Sequence, residues 1–213
     1  MNDGTVTPLL TAEALAMRFG AQRVFADLSF SFGAGAVALV GPNGSGKSTL
    51  IALLCGVETP TAGTITIAGH DLRRQPTRAK AQLAYVPDEP AAYDFMCGSE
   101  FLAMVDALRG RRDLRGAAHL IEGLGLAQHL DTRFEVMSLG TRKKFMLVSG
   151  LMSPAPLVVL DEPTNGIDAD AKRWLADYIA AESARRLFFF STHDGEFIEA
   201  TAARRLRLGP AQD

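Results

Sequence analysis

Nine consecutive residues, Gly41-Pro42-Asn43-Gly44-Ser45-Gly46-Lys47-Ser48-Thr49, follow an apolar run at Val37–Val40 and precede a helical pattern at Leu50–Leu54. The pattern G-x-x-x-x-G-K-[ST], set between a strand and a helix, is suited to gripping phosphate. Its glycines let the backbone turn tightly, so that successive N–H groups converge on phosphate oxygens, and the helix N-terminus adds partial positive charge. Lys47 would reach β- and γ-phosphates as a point charge, and the Ser48 hydroxyl would ligate Mg²⁺. A random chain of this length would match the four fixed positions on the order of once in a hundred times.

A second apolar run, Leu157–Leu160, ends in the adjacent carboxylates Asp161 and Glu162, with Pro163 stopping the strand behind them. Acidic groups at the carboxyl end of a strand face the crevice where open α/β sheets bind ligands. Asp161 suits the outer sphere of Mg²⁺, and Glu162 would hold an attacking water. The third run, Leu187–Phe190, leads into Ser191-Thr192-His193-Asp194, which puts His193 at the tip of another buried strand, where it could hydrogen-bond a γ-phosphate. His70, His119 and His129 follow no such strand and read as surface or satisfied core residues.

The elements that must position these groups are legible in outline. Short β-type runs occur at Phe25–Phe32, Ala36–Val40, Gly63–Ile67, Leu83–Val86, Leu157–Leu160 and Leu187–Ser191, with helical patterns between several of them. Continuous apolar character in the later runs is expected of strands buried on both faces of a parallel sheet. From Ser99, read as an N-cap, Phe101, Leu102, Val105 and Leu108 fall on one helical face, and helical patterns continue to about Met152. That stretch is expected to be a helical subdomain inserted between two strands. Ser138 would open a helix that buries Phe145, Met146, Val148 and Leu151, and Asp168 would cap a helix whose Trp174, Leu175, Tyr178 and Ile179 face the core.

Composition narrows the field. The 213 residues, 47% hydrophobic and 22% charged, fit one globular domain, and a net charge of −2 offers no basic field for nucleic acid. The best apolar candidate for a membrane span, Phe145–Leu160, is too short and carries Pro154 and Pro156. An N-terminus with Asp3 and Glu13 and no basic start does not resemble a secretory signal, so a cytoplasmic location is expected. Cys55 and Cys97 suggest neither a disulfide framework nor a metal cluster. The basic stretch 109–116 and Arg204, Arg205 and Arg207 are expected to be solvated, and no regulatory domain is expected after His193.

Taken in order, these motifs resemble the nucleotide-binding subunit of an ATP-binding cassette (ABC) transporter across nearly the whole chain. Gly41–Thr49 looks like the family's Walker A loop, and Tyr85-Val-Pro-Asp88-Glu-Pro is similar to its Q-loop. Met137-Ser138-Leu139-Gly140-Thr141 corresponds to the signature, Leu157–Glu162 to Walker B, Asn165-Gly166-Ile167-Asp168 to the D-loop, and His193 to the switch histidine. Phe19 looks like the aromatic that stacks on adenine. Two departures stand out: Asp88 replaces the usual Gln and could ligate Mg²⁺, and Leu139 and Thr141 alter a signature whose Ser138 and Gly140 remain.

The resemblance implies an α/β fold of the P-loop ABC-ATPase type: a mostly parallel sheet with flanking helices, an N-terminal antiparallel part, and an inserted helical subdomain at about 89–152. It further implies that two chains close on two Mg-ATP molecules, with Ser138 and Gly140 of each meeting the γ-phosphate held by the other. Glu162, His193 and Lys47 would then be catalytic. Hydrolysis would drive transport, leaning toward export, by a separate transmembrane permease, with this chain peripheral on the cytoplasmic face of the membrane. A soluble ABC ATPase acting in translation, cluster assembly or DNA maintenance is the alternative, and a P-loop nucleotide kinase is a more remote one.

Overall fold

A computed structural model describes residues 8–110 and 114–209, with the side chains of 114 and 115 outside the description. The chain opens with a hairpin of β1 (Leu10–Phe19) and β2 (Gln22–Phe32), in which β1 buries Leu10, Ala12, Leu15 and Met17 and leaves other positions open. Next come β3 (Gly35–Val40), α1 (Lys47–Leu54), β4 (Ala62–Ile67), the two-residue β5 (His70–Asp71), α2 (Pro76–Ala81) and β6 (Leu83–Val86). Three helices follow, α3 (Gly98–Leu108), α4 (Ala118–Gly123) and α5 (Leu139–Leu151). The chain then runs through β7 (Leu157–Leu160), α6 (Ala169–Glu182), β8 (Leu187–Ser191), α7 (Gly195–Ala200) and β9 (Arg204–Arg207).

The strands sort into two sheets. One is four-stranded and antiparallel in the order β2-β1-β4-β5, and the other is five-stranded in the order β6-β7-β8-β3-β9 with every pairing parallel. Successive side chains of a strand point to opposite faces, and here both faces are covered. Val158, Leu160, Phe188 and Phe190 pack with α3, α5, α6 and α7, while Leu157, Val159, Leu187 and Phe189 pack with β1, α1 and β4. Phe188, Phe189 and Phe190 are fully buried, and each such side chain contributes about 1.5 to 3 kcal/mol through lost apolar exposure.

Between β6 and β7 the described residues form helices and short 3₁₀ turns, with one isolated bridge between Cys97 and Arg133. Phe101, Phe134 and Phe145 meet there at ring separations of 5.2 and 5.6 Å, and they belong to the same apolar cluster as Val86, Leu160 and Phe188. The helices from α3 to α5 therefore share a core with one face of the parallel sheet. The Phe145–Leu160 run divides between α5 and β7, and no helix among the described residues is long and apolar enough to cross a membrane.

Several expectations need correction. α3 starts one residue before Ser99: Cys97 occupies the cap position, and the Glu100 carboxylate accepts its N–H at 2.9 Å. Leu108 is 80% exposed at the helix end rather than part of the buried face. Arg204, Arg205 and Arg207 belong to β9, an edge strand paired with β3, although their side chains are exposed as expected. Backbone pairing at a sheet edge needs no apolar side chains, so hydropathy carries no sign of it. Residues 1–7, on which the leader argument drew, and 111–113 of the basic stretch lie outside the described residues.

Candidate functional site

Parallel pairing puts the carboxyl ends of β3, β7 and β8 at one edge of the sheet, and the three chemical segments leave from those ends. They border a cleft of about 520 Å³, within the ordinary range for a small-molecule site. Asn43, Gly44, Gly46, Lys47, Ser48 and Thr49 from the loop after β3, and Asp161, Glu162, Ser191 and His193 from the ends of β7 and β8, line it. Phe19, half exposed at the end of β1, stands at the rim with Gln22 and Val24, and Asp88 reaches in from the loop after β6.

The loop after β3 wraps the N-terminus of α1. Gly46 has φ 90°, and a Cβ there would lie 2.4 Å from Val24 Cγ1, so a side chain would have to displace the cleft's rim. The Lys47 ammonium donates to the carbonyls of Gly41 (2.8 Å) and Pro42 (3.2 Å), which folds its stem over the loop. Ser45, expected among the phosphate-binding residues, is buried within the loop and does not line the cleft, and its hydroxyl has no hydrogen-bond partner among the described residues. Backbone N–H groups at a helix start and an ammonium make up a donor set that fits an anionic phosphate.

At the end of β7, Glu162 adopts φ 43°, an uncommon conformation for a residue with a side chain. Ser191 holds it there: the Glu162 N–H donates to Ser191 Oγ at 2.9 Å, and that hydroxyl donates to Asp161 Oδ1 at 2.6 Å. One buried serine thus aims two adjacent carboxylates differently. The Glu162 carboxylate lies 3.4 Å from His193 Nε2. Burial raises the Glu162 pKa above the ordinary carboxylate value, a protonated His193 pulls it down, and the negative charges of Asp161 and Asp88 push it up.

Asp88 is held from behind. Lys143, on α5, is almost wholly enclosed and donates to Asp88 Oδ1 (3.1 Å) and to the carbonyls of Pro87 (3.0 Å), Asp88 (2.7 Å) and Asp161 (3.1 Å). Burial lowers its pKa, against the pull of the Asp88 carboxylate. Asn165 Nδ2 adds a longer contact to Asp88 Oδ1 at 3.4 Å.

Ser138 and Gly140 do not line this cleft. Ser138 caps α5, its Oγ accepting the Thr141 N–H at 3.1 Å, and it is exposed together with Leu139. A Cβ on Gly140 would fall 2.3 Å from the Gly166 carbonyl oxygen, so the start of α5 packs backbone to backbone on the loop that leads into α6. Lys144 reinforces that contact through Asp168 at 3.0 Å, while Asp168 caps α6 by accepting the Ala171 N–H at 2.9 Å. The carbonyls of Gly41 and Pro42 serve Lys47, and those two residues border a neighbouring pocket rather than the cleft.

No cluster of three or more His, Cys, Asp or Glu that could hold a metal by itself occurs among the described residues. An ion carried by a triphosphate needs fewer protein ligands, and Ser48 and Asp161, which line the same cleft, fit Mg²⁺ in that form. Cys55 is inert: burial pushes its thiol pKa up to about 12.

Sequence reasoning passed over Ser191 and Lys143. A hydroxyl closing the apolar run of β8 was the available sign for the first. For the second it was a lone cation on the stripe shared with Met146, Leu147 and Gly150, all buried in α5. Gln22 and Val24 reach the cleft only through the fold of the β1–β2 hairpin, and no local pattern marks them.

Comparison with known proteins bears on most of the chain. The family described as "ABC transporter" matches residues 25–165. The chain is 30% identical over 188 residues to the cytochrome c biogenesis ATP-binding export protein CcmA of Pseudomonas savastanoi pv. phaseolicola, covering 87% of this chain and 88% of that protein. It is also 30% identical to ATP-binding cassette sub-family A member 13 of Homo sapiens over 87% of this chain, which is 4% of that protein. In two relatives from Bacillus subtilis it spans 56% and 61% of their length. Among solved structures, one described as an ATP binding subunit of an ABC transporter superimposes with a TM-score of 0.87 at 29% identity, over 94% of this chain and 85% of that one.

Proposed function

Since the chain belongs to the ABC transporter family, we propose that it is an ATP-binding subunit that hydrolyses Mg-ATP between two such chains and so powers transport, in the export direction, by a separate transmembrane permease. The observation that carries this reading is the convergence of Lys47, Ser48, Asp161, Glu162 and His193 on one cleft. Phe19 offers an aromatic face at its rim for the adenine ring.

In this reading the loop N–H groups and Lys47 hold the β- and γ-phosphates, and the Glu162 carboxylate accepts a hydrogen bond and then a proton from a water aligned with the terminal phosphorus. The water oxygen bonds to phosphorus as the bond to the bridging oxygen breaks, releasing ADP and phosphate. His193, 3.4 Å from Glu162, is placed to steady the carboxylate and donate to the γ-phosphate. Mg²⁺, held by Ser48 with Asp161 behind it, would neutralise charge on the β- and γ-oxygens. Positioning and electrostatics supply most of the acceleration.

Ser138 and Gly140, exposed or half-exposed and turned to a different surface, suit the second triphosphate of a closed dimer: a hydroxyl and the positive end of α5 point outward together. Residues 89–152, taken as the inserted helical subdomain, and the Asp88 loop would meet the permease, which keeps the chain on the cytoplasmic face of the membrane. No nucleic-acid partner is required. Export is favoured by relatives whose names include an export ATP-binding protein and a peptide export ATP-binding protein, SkfE of Bacillus subtilis.

Two measurements test the proposal. Equilibrium binding to purified protein should show affinity for ATP, and its absence with and without Mg²⁺ removes the reading. Tagged chain drawn from membranes in mild detergent should bring a polytopic protein with it and show phosphate release stimulated by that partner. Stimulation by ribosomes or DNA instead would reassign the work being driven.

A further inference from the structure

Lys143 has a position that nucleotide binding does not by itself explain. Its side chain is 2% exposed, yet all four of its hydrogen-bond partners are oxygen acceptors: three carbonyls and the Asp88 carboxylate. An ammonium has three protons and no lone pair, so its three N–H groups are shared among these four acceptors. The carbonyls come from two separate segments, the loop after β6 (Pro87 and Asp88) and the end of β7 (Asp161), while the lysine rides on α5. At a rise of about 1.5 Å per residue, the backbone of Lys143 lies roughly 7.5 Å along the helix from the Ser138 cap.

Charge arithmetic at the cleft turns on this residue. Asp88, Asp161 and Glu162 bring three carboxylates to one cavity. Lys143 faces Asp88 directly, and Asn165, the other side chain on Asp88 Oδ1, is neutral. Across the cleft Lys47 is occupied by the Gly41 and Pro42 carbonyls, and His193 sits beside Glu162. With Asp88 paired, two carboxylates are left to act on a metal and a tetra-anionic nucleotide. With Asp88 unpaired there would be three.

Resting on the proposed function, we infer that Lys143 is a positioning residue: its ammonium serves as the counter-ion of Asp88 and pins the start of α5 to the acidic end of β7, setting the charge that the cleft presents to Mg-ATP. The Asp88 and Lys143 side chains form one functional unit. Through it, the loop beside one chain's own metal is tied to the helix whose capped end addresses the triphosphate of the other chain.

The test is a charge cycle on full-length protein: Lys143→Met, Asp88→Asn and the double variant, each titrated with Mg²⁺ in the presence of saturating trinitrophenyl-ATP and followed by nucleotide fluorescence. Lys143→Met frees a negative charge and should lower the Mg²⁺ concentration at half-saturation about three- to tenfold; Asp88→Asn leaves a buried cation and should raise it by a similar factor. The double variant should return to within about twofold of the parent. Thermal melting should fall in Asp88→Asn, because the enclosed Lys143 ammonium loses its counter-charge, and recover in part in the double variant. Where Lys143→Met does not fold, Lys143→Gln, which keeps amide donors for the carbonyls without charge, must move half-saturation in the same direction. A purely structural lysine would lower melting without opposite shifts in Mg²⁺ dependence. Single variants that shift half-saturation in the same direction, or shifts below twofold in both, overturn the inference. Failure of the parent protein to bind the analogue at all would instead overturn the proposed function, and this inference with it.

Discussion

The Ser191 hydroxyl accepts the backbone N–H of Glu162 at 2.9 Å, and Glu162 holds the left-handed φ of 43° at that bond. A side chain in this conformation costs of order 1 to 3 kcal/mol, which the surrounding bonds must offset. The same hydroxyl donates to Asp161, so the directions of both carboxylates depend on one atom. Ser191→Ala should therefore lower phosphate release by about 10- to 100-fold through misalignment while ATP affinity stays near the parent value. Loss of the buried bonds should cost about 1 to 3 kcal/mol in denaturant unfolding. Parental turnover in this variant would detach Ser191 from the chemistry.

The pH dependence of hydrolysis carries the signature of Glu162. A base works deprotonated, and burial raises this carboxyl's pKa, so the rate should fall on the acid side at a higher pH than an ordinary carboxylate would impose. A protonated His193 draws the pKa down, which gives His193→Ala a definite sign: the acid limb moves to higher pH, beside any loss of maximal rate. Rate profiles of phosphate release from pH 4 to 8, an interval of about four units, would show it. An acid limb that stays in place or moves down in His193→Ala contradicts the assignment.

Removing the cap of α5 separates two roles. Ser138→Ala loses the hydroxyl that accepts the Thr141 N–H, at a cost of about 1 kcal/mol. Because Ser138 lies away from the cleft of its own chain, ATP binding by the isolated chain should be unchanged while turnover by the assembled pair drops. Equal loss of binding in the monomeric variant would mean that Ser138 serves its own site.

Acid stability should reflect two capping aspartates, Asp168 on α6 and Asp194 on α7, where the Asp194 carboxylate accepts the Phe197 N–H at 3.0 Å. Asp168 and Asp194 are both held below the ordinary value of 3.8, Asp168 chiefly by the Ala171 N–H and Asp194 chiefly by Lys172. For a depressed carboxyl pKa, the stabilisation is complete above the unfolded value and disappears as pH falls through the folded one. Melting temperature should drop steeply below about pH 4, and the drop should be shallower in Asp168→Asn and Asp194→Asn, which carry no carboxyl to protonate at these caps. Parallel melting curves for parent and variants across that interval would contradict this.

The site was legible wherever local pattern and chemistry coincide. Lys47 and Ser48 follow a strand and glycines, and Asp161, Glu162 and His193 end buried runs, so parallel pairing alone brings them together. β6, β7 and β8 match their β-type runs residue for residue, and in β7 and β8, buried at every position, both faces of the strand are covered. β9 escaped notice because an edge strand of arginines depends on backbone bonds that hydropathy does not register. Lys143 was hidden for the opposite reason: a cation inside a buried helix face makes sense only once Pro87, Asp88 and Asp161 surround it, and those contacts span 18 to 56 residues of chain. The Asp88 carboxylate, standing where the resemblance leads to Gln, faces the ammonium of that lysine at 3.1 Å.

The most direct test of the account is phosphate release by Glu162→Gln set beside its ATP affinity. The amide keeps the size of the side chain and removes the base, so turnover should fall by about 10²- to 10⁴-fold while nucleotide still binds. Turnover near that of the parent, with ATP bound, would contradict the role given to Glu162 and the mechanism built on it.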